Sequence, residues 1–456
     1  MKIKLIELLV VVFMVVSLNK SIHAQNPIIQ TVFTADPAPL VHNDTLFLFT
    51  GHDEDNATQK GFIMNDYLCF STTDMVNWTH HGPVFHVDSL GWAAKHNANA
   101  AQVAYRDGKF YYYISPWSAL KDGGDCIAVG VSDKPYGPYK DAIGKPMIEP
   151  SQTKYGRHAW EDIDPTILID DDGQAYMYWG NNSLYAVKLN KDMVSYSGDI
   201  VTFEIKDKAA FGPDYEEAPW IFKRNGIYYL MYAAHVPEAV YYAMATSPLG
   251  PWKYGGVIMK AFAQGSMGNH PGVAKYKDQW YFFYMNEDLP NGHDKRRAVN
   301  VIPFDFNADG SITELAHSKA GVKPVANLDP FKRTEAETIA WSEGLKTAKD
   351  NQTGVYVTKI NKGDYLKVRS VDFGKGAKTL EANVASATTG GIIEIRLDNP
   401  EGELLGSLTV EKTGGWQNWK TITGKVKKTT GVHDLCFVFK GGDGELFNFD
   451  WWRFLN

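Results

Sequence analysis

Five polar residues stand at equivalent places along the chain, each followed directly by a proline or an alanine. They are Asp36, Asn99, Asp164, Glu217 and His270. Three carboxylic acids and a histidine are costly to gather in one cleft unless they do chemistry or bind a metal. Two carboxyl groups suit glycoside hydrolysis, because one protonates the leaving oxygen while the other activates water or attacks the anomeric carbon. A third carboxylate helps by raising the pKa of the acid through like-charge repulsion.

The same five residues each begin a repeat that consists of an apolar run, a turn and an aromatic-rich run. The interval from the leading residue to a turn residue is constant: 36 to 44, 99 to 107, 164 to 172, 217 to 225 and 270 to 278. Asp-Gly and Asn-Gly at such turns are typical of tight β-hairpins. The units recur at separations of 63, 65, 53 and 53 residues, which suits the blades of a five-bladed β-propeller. A sandwich of unrelated hairpins is the alternative.

In a propeller, equivalent positions lie on a ring around the central axis. The repeat therefore predicts that the five leading residues face one another at one mouth of the channel. No Ser or Cys nucleophile, Gly-rich phosphate loop or His-rich zinc motif accompanies them, so glycoside hydrolysis is the chemistry that the sequence favours.

Composition narrows the class of protein further. The chain has 456 residues, enough for two or three domains, and its aromatic content of 13% favours strands and sugar-stacking surfaces. The formal net charge of −7 comes without the basic stripe that nucleic acid requires, so we expect no nucleic-acid partner. Three widely spaced cysteines, Cys69, Cys126 and Cys436, predict buried free thiols.

The first residues have the pattern of a targeting segment. Lys2 and Lys4 precede an apolar run over residues 5–18, and a cleavage signal ends at Ala24. Residues 1–24 are therefore predicted to be a signal peptide, and the protein is expected to be exported to the periplasm or the extracellular space. The run is too short to cross a bilayer comfortably, and no other stretch is apolar enough to do so. We expect the protein to be a monomer.

Several strings in the first two thirds of the chain resemble glycoside hydrolase family 43. They are TADPAP at Asp36, IDPTILIDDDGQAYMYWG at Asp164 and YEEAPWIFKRNGIYYLMYAA at Glu217. GHDED, MVNWTHHG, SYSGDI, GVIM and GNHPG add a likeness to the arabinoxylan arabinofuranohydrolases of that family. The resemblance implies an inverting enzyme in which Asp36 is the general base, Glu217 the general acid, and Asp164 the residue that raises the pKa of the acid and orients it.

The resemblance leaves a choice at two pairs of neighbouring residues. Glu216 competes with Glu217 for the role of acid, and the repeat register favours Glu217, which directly precedes Ala218. Arg297 resembles an arginine that contacts the substrate or the acid, although Arg296 is the alternative.

Three further positions concern the sugar pocket. His270 resembles an axial histidine found beside a central calcium and its waters. Asn99 stands where family members usually carry an aromatic residue that walls the pocket, so this departure affects the expected sugar specificity. Trp92, seven residues earlier, is a candidate to compensate, with a place in the core as the alternative.

The last third of the chain lacks the propeller repeat. We predict a propeller over residues 25–315, a linker over 316–332 and a β-sandwich over 333–456, because short alternating runs separated by Gly-containing turns fill this last region. EAETIAWSEG, GDYLKVRSVDFG, GGIIEIRLD, TGGWQNWKT and LFNFDWWRF resemble carbohydrate-binding module family 6. The fold class expected for the whole chain is thus all-β.

The second resemblance implies two sites in the sandwich. Trp416 and Asn448 match the sugar-stacking aromatic and the hydrogen-bonding Asn of that family, and Tyr356 is the candidate for the facing aromatic. Of Trp451 and Trp452, one is expected in the core. Three carboxylates resemble the structural calcium ligands of the family: Glu335, Glu337 and Asp450. Oxygen ligands suit Ca²⁺.

Together these features predict an exported α-L-arabinofuranosidase that acts on arabinoxylan or xylan. We expect calcium as a structural ion in both domains and no organic cofactor. A β-xylosidase, or an arabinanase of the same family, is the nearest alternative. A carbohydrate-binding propeller without activity is the alternative from another class.

Overall fold

A computed structural model describes residues 25–456 except 95–96, 121–122, 154–157 and 263–268. The predicted signal peptide therefore lies outside the described residues. Within them the secondary structure is almost entirely strand, with one α-helical turn at Lys208–Phe211 and short 3-10 turns at Val87–Ser89 and Pro150–Gln152. No helix in this part of the chain is long and apolar enough to span a membrane.

Five antiparallel sheets follow one another along the chain as blades. Blade 1 holds β1 (Phe33–His42), β2 (Thr45–Asp53), β3 (Asp66–Thr72) and β4 (Trp78–His86); blade 2 holds β5 (Asn99–Arg106), β6 (Lys109–Ser115), β7 (Ala128–Ser132) and β8 (Lys140–Asp141). Blade 3 holds β9 (Thr166–Ile169), β10 (Ala175–Trp179), β11 (Tyr185–Leu189) and β12 (Tyr196–Thr202); blade 4 holds β13 (Glu217–Arg224), β14 (Ile227–Ala234), β15 (Ala239–Ala245) and β16 (Lys253–Met259). Blade 5 holds β17 (Gly272–Tyr276), β18 (Gln279–Asn286) and β19 (Ala298–Phe304).

The first strands of the blades form a closed ring. β1 contacts β5, β5 contacts β9, β9 contacts β13, β13 contacts β17, and β17 returns to β1. The start of the described chain runs beside β19, where the Ile28 N–H donates to the Val299 carbonyl at 2.9 Å. The prediction of a five-bladed propeller is confirmed, and the first strand of each blade lines the central axis.

The hairpin turns and the blade faces follow from local sequence. In blade 4 the turn has φ of 50° at Asn225 and 78° at Gly226, as a tight type I′ hairpin requires. The strand that follows, β14, is almost wholly buried because both of its faces pack against neighbouring layers. Aromatic side chains fill these layers; for example, the rings of Phe222 and Tyr229 stack 5.0 Å apart.

The C-terminal region is a sandwich of two antiparallel sheets. Its strands are β20 (Thr334–Glu335), β21 (Thr338–Ile339), β22 (Trp341–Glu343), β23 (Lys346–Asp350), β24 (Gly354–Thr358), β25 (Tyr365–Asp372), β26 (Thr379–Ala385), β27 (Gly391–Leu397), β28 (Leu404–Val410), β29 (Lys420–Lys425), β30 (Val432–Lys440) and β31 (Asn448–Leu455). One sheet has the order β23-β24-β31-β26-β29 with β20 beside β31, and the other has the order β22-β25-β30-β27-β28. Trp452 is fully buried between them, whereas Trp451 is partly exposed.

The sandwich is attached to blade 1 by backbone pairing as well as by side chains. β21 pairs antiparallel with β4, so a short segment of the C-terminal region becomes the fifth strand of that blade. The Asn77 amide donates to the Arg369 carbonyl at 2.9 Å, and the Arg369 N–H donates back to Asn77 at 2.8 Å. All three cysteines are free and buried, as the sequence predicts.

Candidate active site

The five leading residues of the repeats line one cavity of about 440 Å³. Asp36, Asn99, Asp164, Glu217 and His270 each stand at or just before the first strand of a blade, so the ring of inner strands brings them together. A cavity of this size lies within the usual range of small-molecule sites.

The backbone at this mouth of the channel is irregular where the acids stand. Asp36 and Asp164 have φ of 51° and 62°, the left-handed region that residues other than glycine seldom adopt. The pairing of β1 with β2 shifts register just after Ala35, and that of β13 with β14 shifts just after Glu217. Such bulges redirect side chains next to functional sites, and here they occur at the acids that line the cavity.

Asp36 is held by a buried arginine. Arg297 donates from Nη1 to Asp36 Oδ1 at 3.1 Å, and from Nε and Nη2 to the two oxygens of Asp53 at 2.9 Å each. Burial raises the pKa of Asp36 to about 6, although Arg297 opposes the rise. At neutral pH Asp36 is therefore ionised, as a base must be, and its paired arginine keeps the charge in place.

Of the two candidate arginines, Arg297 lines the cavity and contacts Asp36 rather than the predicted acid. Arg296 instead donates to His293 at 2.8 Å and to the Asp55 carbonyl at 3.2 Å, and it does not line the cavity.

Asp164 connects blade 3 to the strand that carries the predicted acid. Its Oδ2 accepts from the Ala218 N–H at 2.9 Å, one residue beyond Glu217. The Ser115 hydroxyl accepts from the Asp164 N–H at 3.0 Å, which fixes the backbone of Asp164. Burial, then the charges of Glu217 and Asp36, raise the pKa of Asp164 well above its usual range. Asp164 thus lies where it can orient the start of β13 and act on Glu217 electrostatically.

The two adjacent glutamates have different partners. The carboxylate of Glu217 accepts from the Asn181 amide, and Glu238 lines the same cavity. Glu216 accepts from the Asn182 amide at 3.0 Å, and burial raises its pKa. Both glutamates line the cavity, but Glu217 is the one whose charge contributes to the raised pKa of Asp164.

Asn99 places a hydrogen-bonding amide in the cavity wall, where the family usually has an aromatic side chain. Its amide donates to Asp125 Oδ1 at 2.9 Å, and both residues line the cavity. Burial raises the pKa of Asp125 to about 7. Trp117 and Trp160 also line the cavity, and Trp160 is 53% exposed.

Trp92 does not compensate for Asn99. Its indole is buried in the hydrophobic core of the propeller, donates to Asp141 at 2.9 Å, and is absent from the cavity walls formed by the described residues. A sequence does not distinguish a tryptophan in a core from one in a sugar pocket. In the structure Trp92 belongs to the core, where its indole packs beside Asp141 of blade 2.

His270 is buried at the cavity wall, where burial lowers its pKa to about 3. The imidazole is therefore neutral at neutral pH and can accept a hydrogen bond from a metal-bound water. Next to it, both side-chain polar atoms of Asn269 are buried and have no hydrogen-bond partner among the described residues. A hydrated cation in the cavity fits these unpaired groups.

The carboxylates predicted to hold calcium in the sandwich do not converge as a complete set. Arg333 donates to both oxygens of Glu335 at 2.9 and 2.8 Å and lies 3.7 Å from Asp450 Oδ1, so its guanidinium occupies the place of a cation. Glu337 Oε2 and Asp450 Oδ1 are nevertheless buried without a hydrogen-bond partner in the described part of the chain. The oxygens of Glu337 and Asp450 thus remain available to a divalent cation, whereas Glu335 is hydrogen-bonded to Arg333.

A different group has converging ligand atoms. Within the described ranges, the group whose ligand atoms all lie within 4.8 Å of one another is His52, Glu54 and Asp66, in and beside blade 1. His52 Nδ1 is already hydrogen-bonded to Asp66 at 2.9 Å, so the group is held together without an ion.

The predicted sugar-binding residues of the sandwich are close together in part. The Asn448 amide donates to the Trp416 carbonyl at 2.7 Å, and its oxygen accepts from the Thr358 hydroxyl at 2.8 Å. Tyr356 is buried, and its ring meets that of Trp419 edge-on at 5.2 Å. Trp419 is therefore an aromatic residue beside the predicted sugar-binding residues that was not among those predicted.

Several residues at or behind the cavity are outside the predicted set, among them four polar residues. Asp53, Asp125, Asn181 and Glu238 lie at the ends of strands or in loops, outside the repeated position. Asp53 was within the string GHDED, and Asn181 within the segment after YWG, but nothing in their spacing links them to the ring.

Two family models match the chain, and they divide it between the two regions. "Glycosyl hydrolases family 43" matches residues 24–312, and "Carbohydrate binding module (family 6)" matches residues 335–456.

Two of three relatives match nearly the whole chain, and the third matches about three fifths of it. An arabinoxylan arabinofuranohydrolase of Bacillus subtilis (strain 168) is 35% identical over 96% of this chain and 94% of its own length. One from Paenibacillus polymyxa is 33% identical over 94% of this chain and 74% of its own length. A beta-xylosidase of Xylanibacter ruminicola is 28% identical over 61% of this chain and 96% of its own length.

Among solved structures, a family 43 arabinoxylan arabinofuranohydrolase from Bacillus subtilis, in complex with cellotetraose, superimposes with a TM-score of 0.83 and 34% identity, covering 95% of this chain and 98% of its own. An α-L-arabinofuranosidase from Clostridium thermocellum has a TM-score of 0.53 and 33% identity, covering 63% of this chain and 95% of its own. The ring of carboxyl groups and these matches agree: the chain belongs to glycosyl hydrolase family 43 and carries a C-terminal carbohydrate-binding module of family 6.

Proposed function

We propose that this glycoside hydrolase removes single α-L-arabinofuranosyl side chains from arabinoxylan, with inversion of configuration. The observation that carries the proposal is the cavity in which Asp36, Asp164 and Glu217 meet. The two arabinoxylan arabinofuranohydrolases with 35% and 33% identity support the substrate, because each matches more than nine tenths of the chain.

In the proposed mechanism Asp36 is the general base. A water molecule attacks the anomeric carbon of the arabinofuranose while Asp36 takes one of its protons. Arg297 keeps Asp36 ionised and oriented before the reaction, since it donates to the same carboxylate at 3.1 Å. The neutral His270 and the amide of Asn99 lie in the wall of the same cavity and are proposed to bind hydroxyl groups of the sugar.

Glu217 is proposed as the general acid. Its proton passes to the glycosidic oxygen as the bond between that oxygen and the anomeric carbon breaks, which leaves a hydroxyl on the xylan and a carboxylate on Glu217. Asp164 is proposed to orient Glu217, because it fixes the start of that strand by accepting from the Ala218 N–H.

The cavity rim and the sandwich are proposed to hold the polysaccharide. Trp160 is exposed at the rim, as is Phe62 with 41% exposure, and flat apolar rings of this kind stack on sugars. The sandwich would bind the same polymer at Trp416 and Asn448, which raises the effective concentration of substrate at the cavity without touching it. Export, predicted from residues 1–24, would place the enzyme where the polysaccharide is.

The product test is NMR of the sugars released from arabinoxylan. We expect free arabinose, first appearing as the β-anomer of the furanose because the reaction inverts configuration. The alternative, a β-xylosidase, is kept because the Xylanibacter ruminicola relative bears that name. Xylose as the main product from xylobiose and arabinoxylan would contradict the proposal in favour of that alternative, and an absence of any hydrolysis would favour a binding protein.

Calcium is proposed as a structural ion in both regions. In the sandwich, Glu337 and Asp450 would hold it, with Glu335 joining after release from Arg333; in the propeller, waters of the ion would be held by His270. When bound, calcium would supply positive charge that offsets the buried acids. Dialysis against a chelator is expected to lower the temperature of unfolding, and calcium, but not sodium, should restore it. Identical unfolding curves in chelator and in calcium would contradict this proposal.

A further inference from the structure

Two adjacent asparagines connect the two adjacent glutamates of the cavity through side-chain hydrogen bonds. The Asn181 amide donates to Oε2 of Glu217. The Asn182 amide donates to Asn181 Oδ1 at 2.8 Å and to Glu216 Oε1 at 3.0 Å. Asn181 is 5% exposed and lines the cavity, whereas Asn182 is partly exposed. These four side chains form an unbroken series of hydrogen bonds, which we call the amide chain.

The backbone that carries the two amides is itself held in place. Residues 180–182 lie between β10 and β11, and the Asn181 N–H donates to the Glu161 carbonyl at 3.0 Å. The Asn182 N–H donates to the Glu216 carbonyl at 2.6 Å, so the same two residues are joined by backbone and by side chain. Asn182 has φ of 50°, a left-handed conformation that asparagine adopts more readily than most residues.

The amide chain has one direction, because a side-chain NH₂ group only donates and a side-chain carbonyl only accepts. The carboxyl group of Glu216 accepts from Asn182, and the second N–H of that amide occupies the oxygen of Asn181. Asn181 therefore turns its NH₂ group towards Oε2 of Glu217. The carbonyl oxygen of a carboxylic acid accepts hydrogen bonds better than its hydroxyl oxygen does. The acid proton of Glu217 is thus placed on Oε1.

We propose that Asn181 is a positioning residue for the acid step, and that Asn182 and Glu216 orient its amide. The inference rests on the proposed function, since it concerns the same acid. The proton on Oε1 of Glu217 moves to the glycosidic oxygen, which keeps the electron pair of the bond that breaks. Glu217 becomes a carboxylate, and its hydrogen bond from Asn181 becomes charge-assisted and stronger. Asn181 therefore stabilises the transition state more than the ground state, as catalysis requires.

Asn181→Leu tests this role. Leucine is close to asparagine in shape but cannot donate a hydrogen bond to Glu217. The leaving group in arabinoxylan is a sugar hydroxyl, which needs the proton of the acid. We expect kcat on arabinoxylan to fall about 10- to 100-fold, a part of the 10²–10⁴-fold that general acid catalysis supplies, with little change in KM. Initial rates over a range of substrate concentrations measure both constants.

A substrate that needs little acid assistance separates this role from a general loss of structure. With 4-nitrophenyl α-L-arabinofuranoside the leaving group departs as a stabilised phenolate. Asn181→Leu should therefore lower kcat on this substrate by about threefold or less. Equal losses of kcat on the two substrates, or a loss confined to KM, would overturn the proposal.

The orienting role of Asn182 is tested by Asn182→Gly. Glycine fits φ of 50° without strain, and it removes the donor to Asn181. The Asn181 amide can then turn its oxygen towards Glu217, so kcat should fall more on arabinoxylan than on the 4-nitrophenyl substrate. A ratio between the two substrates equal to that of the wild type would contradict the orienting role.

The acceptor role of Glu216 is tested by two substitutions. Glu216→Gln keeps a side-chain oxygen that can accept from Asn182, whereas Glu216→Leu has none. The loss of kcat on arabinoxylan should therefore be clearly smaller for Glu216→Gln than for Glu216→Leu. Equal losses for the two would contradict this role.

Asn300→Leu is the matched control. Asn300 is also a buried asparagine; it accepts from the Asn286 amide at 3.1 Å and donates to the Ala298 carbonyl at 2.9 Å. It is not among the described residues that line the cavity. Any loss in this variant should be the same on both substrates. If Asn300→Leu affects arabinoxylan selectively, as Asn181→Leu is expected to do, the signature reflects the loss of any buried amide and the proposal fails.

Two further measurements keep the result clear if the variants fold poorly or if the proposed function itself is wrong. Neutron diffraction from the perdeuterated, unaltered protein should show the deuterons of the Asn181 amide facing Glu217, and an oxygen at that place would overturn the inference. Wild-type turnover of arabinoxylan by Glu217→Gln would instead overturn the assignment of the acid, which distinguishes failure of the proposed function from failure of the amide chain.

Discussion

The cavity of the propeller and the predicted sugar-binding face of the sandwich are built from different kinds of side chain. The cavity gathers buried carboxyl groups, and their pKa values are raised by burial and by one another, as for Asp164. The face of the sandwich combines aromatic rings with the neutral amide of Asn448, which is already hydrogen-bonded to Trp416 and Thr358. Charge that is costly to bury is found where bonds are to be broken, and neutral groups are found where a polymer is only to be held.

The two regions also differ in how their residues are brought together. In the propeller, the same position of five successive repeats contributes one residue each, so Asp36 and Glu217 meet although 181 positions separate them. In the sandwich, Trp416 precedes β29 while Asn448 begins β31, and they meet because loops at one edge converge. A site built by repetition is easier to predict than one built by loop convergence.

Removal of the proposed base is expected to have the largest effect on turnover and to separate the cavity from the sandwich most clearly. Asp36→Asn should lower kcat on arabinoxylan by about 10³-fold, within the range of general base catalysis, while binding to insoluble xylan stays unchanged. Initial rates and a sedimentation assay on the same preparations measure both quantities. Turnover near that of the wild type would remove Asp36 from the reaction and leave the cavity as a binding site like the sandwich.

The pH dependence of kcat/KM of the wild type is a second test of the role of Asp36. The pKa of Asp36 is raised to about 6, so the carboxylate that activates water is lost as the pH falls through that value. We therefore expect kcat/KM to decline about tenfold for each pH unit below 6. An acidic limb that remains flat down to pH 4 would contradict ionisation of Asp36 as the controlling event.

A smaller effect is expected from the sandwich. Trp416→Ala and Asn448→Ala should weaken binding to insoluble arabinoxylan and lower the rate on it by about tenfold or less, with no change on 4-nitrophenyl α-L-arabinofuranoside. The reason is that the sandwich contributes effective concentration and does not contact the cavity. Ile422→Val, in the same region but away from the predicted face, serves as the control. A loss of turnover on the small substrate would mean that the sandwich affects the cavity through its contact with blade 1.

Much of the cavity could be predicted from the sequence because the repeat has a strict register. Asp36, Asn99, Asp164, Glu217 and His270 are equivalent by counting alone, and in the structure they line one cavity. The residues that tune them could not be predicted in this way. Asp53 and Glu238 come from the end of one strand and the start of another, with no counterpart at a constant interval.

Two expectations show where a pattern in the sequence is ambiguous. Trp92 could wall a pocket or fill a core, and its contact with Asp141 and the packing around it place it in the core. Glu335 could bind a metal or an arginine, and Arg333, two residues away, is the partner that it has in the structure. In both cases the residue type permits either role, and the neighbouring side chains decide.

The number of blades, the ring of leading residues and the change of fold after the fifth repeat could be predicted from the sequence, because hairpin turns and alternating apolar residues are local signals. Which buried groups form hydrogen bonds and ion pairs with one another is visible in the tertiary structure alone. The pairing of Arg297 with Asp36 and the hydrogen bond from the Ala218 N–H to Asp164 join residues that are distant in the chain. Interactions of this kind depend on distances of a few ångströms in a buried site, and spacing along a chain does not specify them.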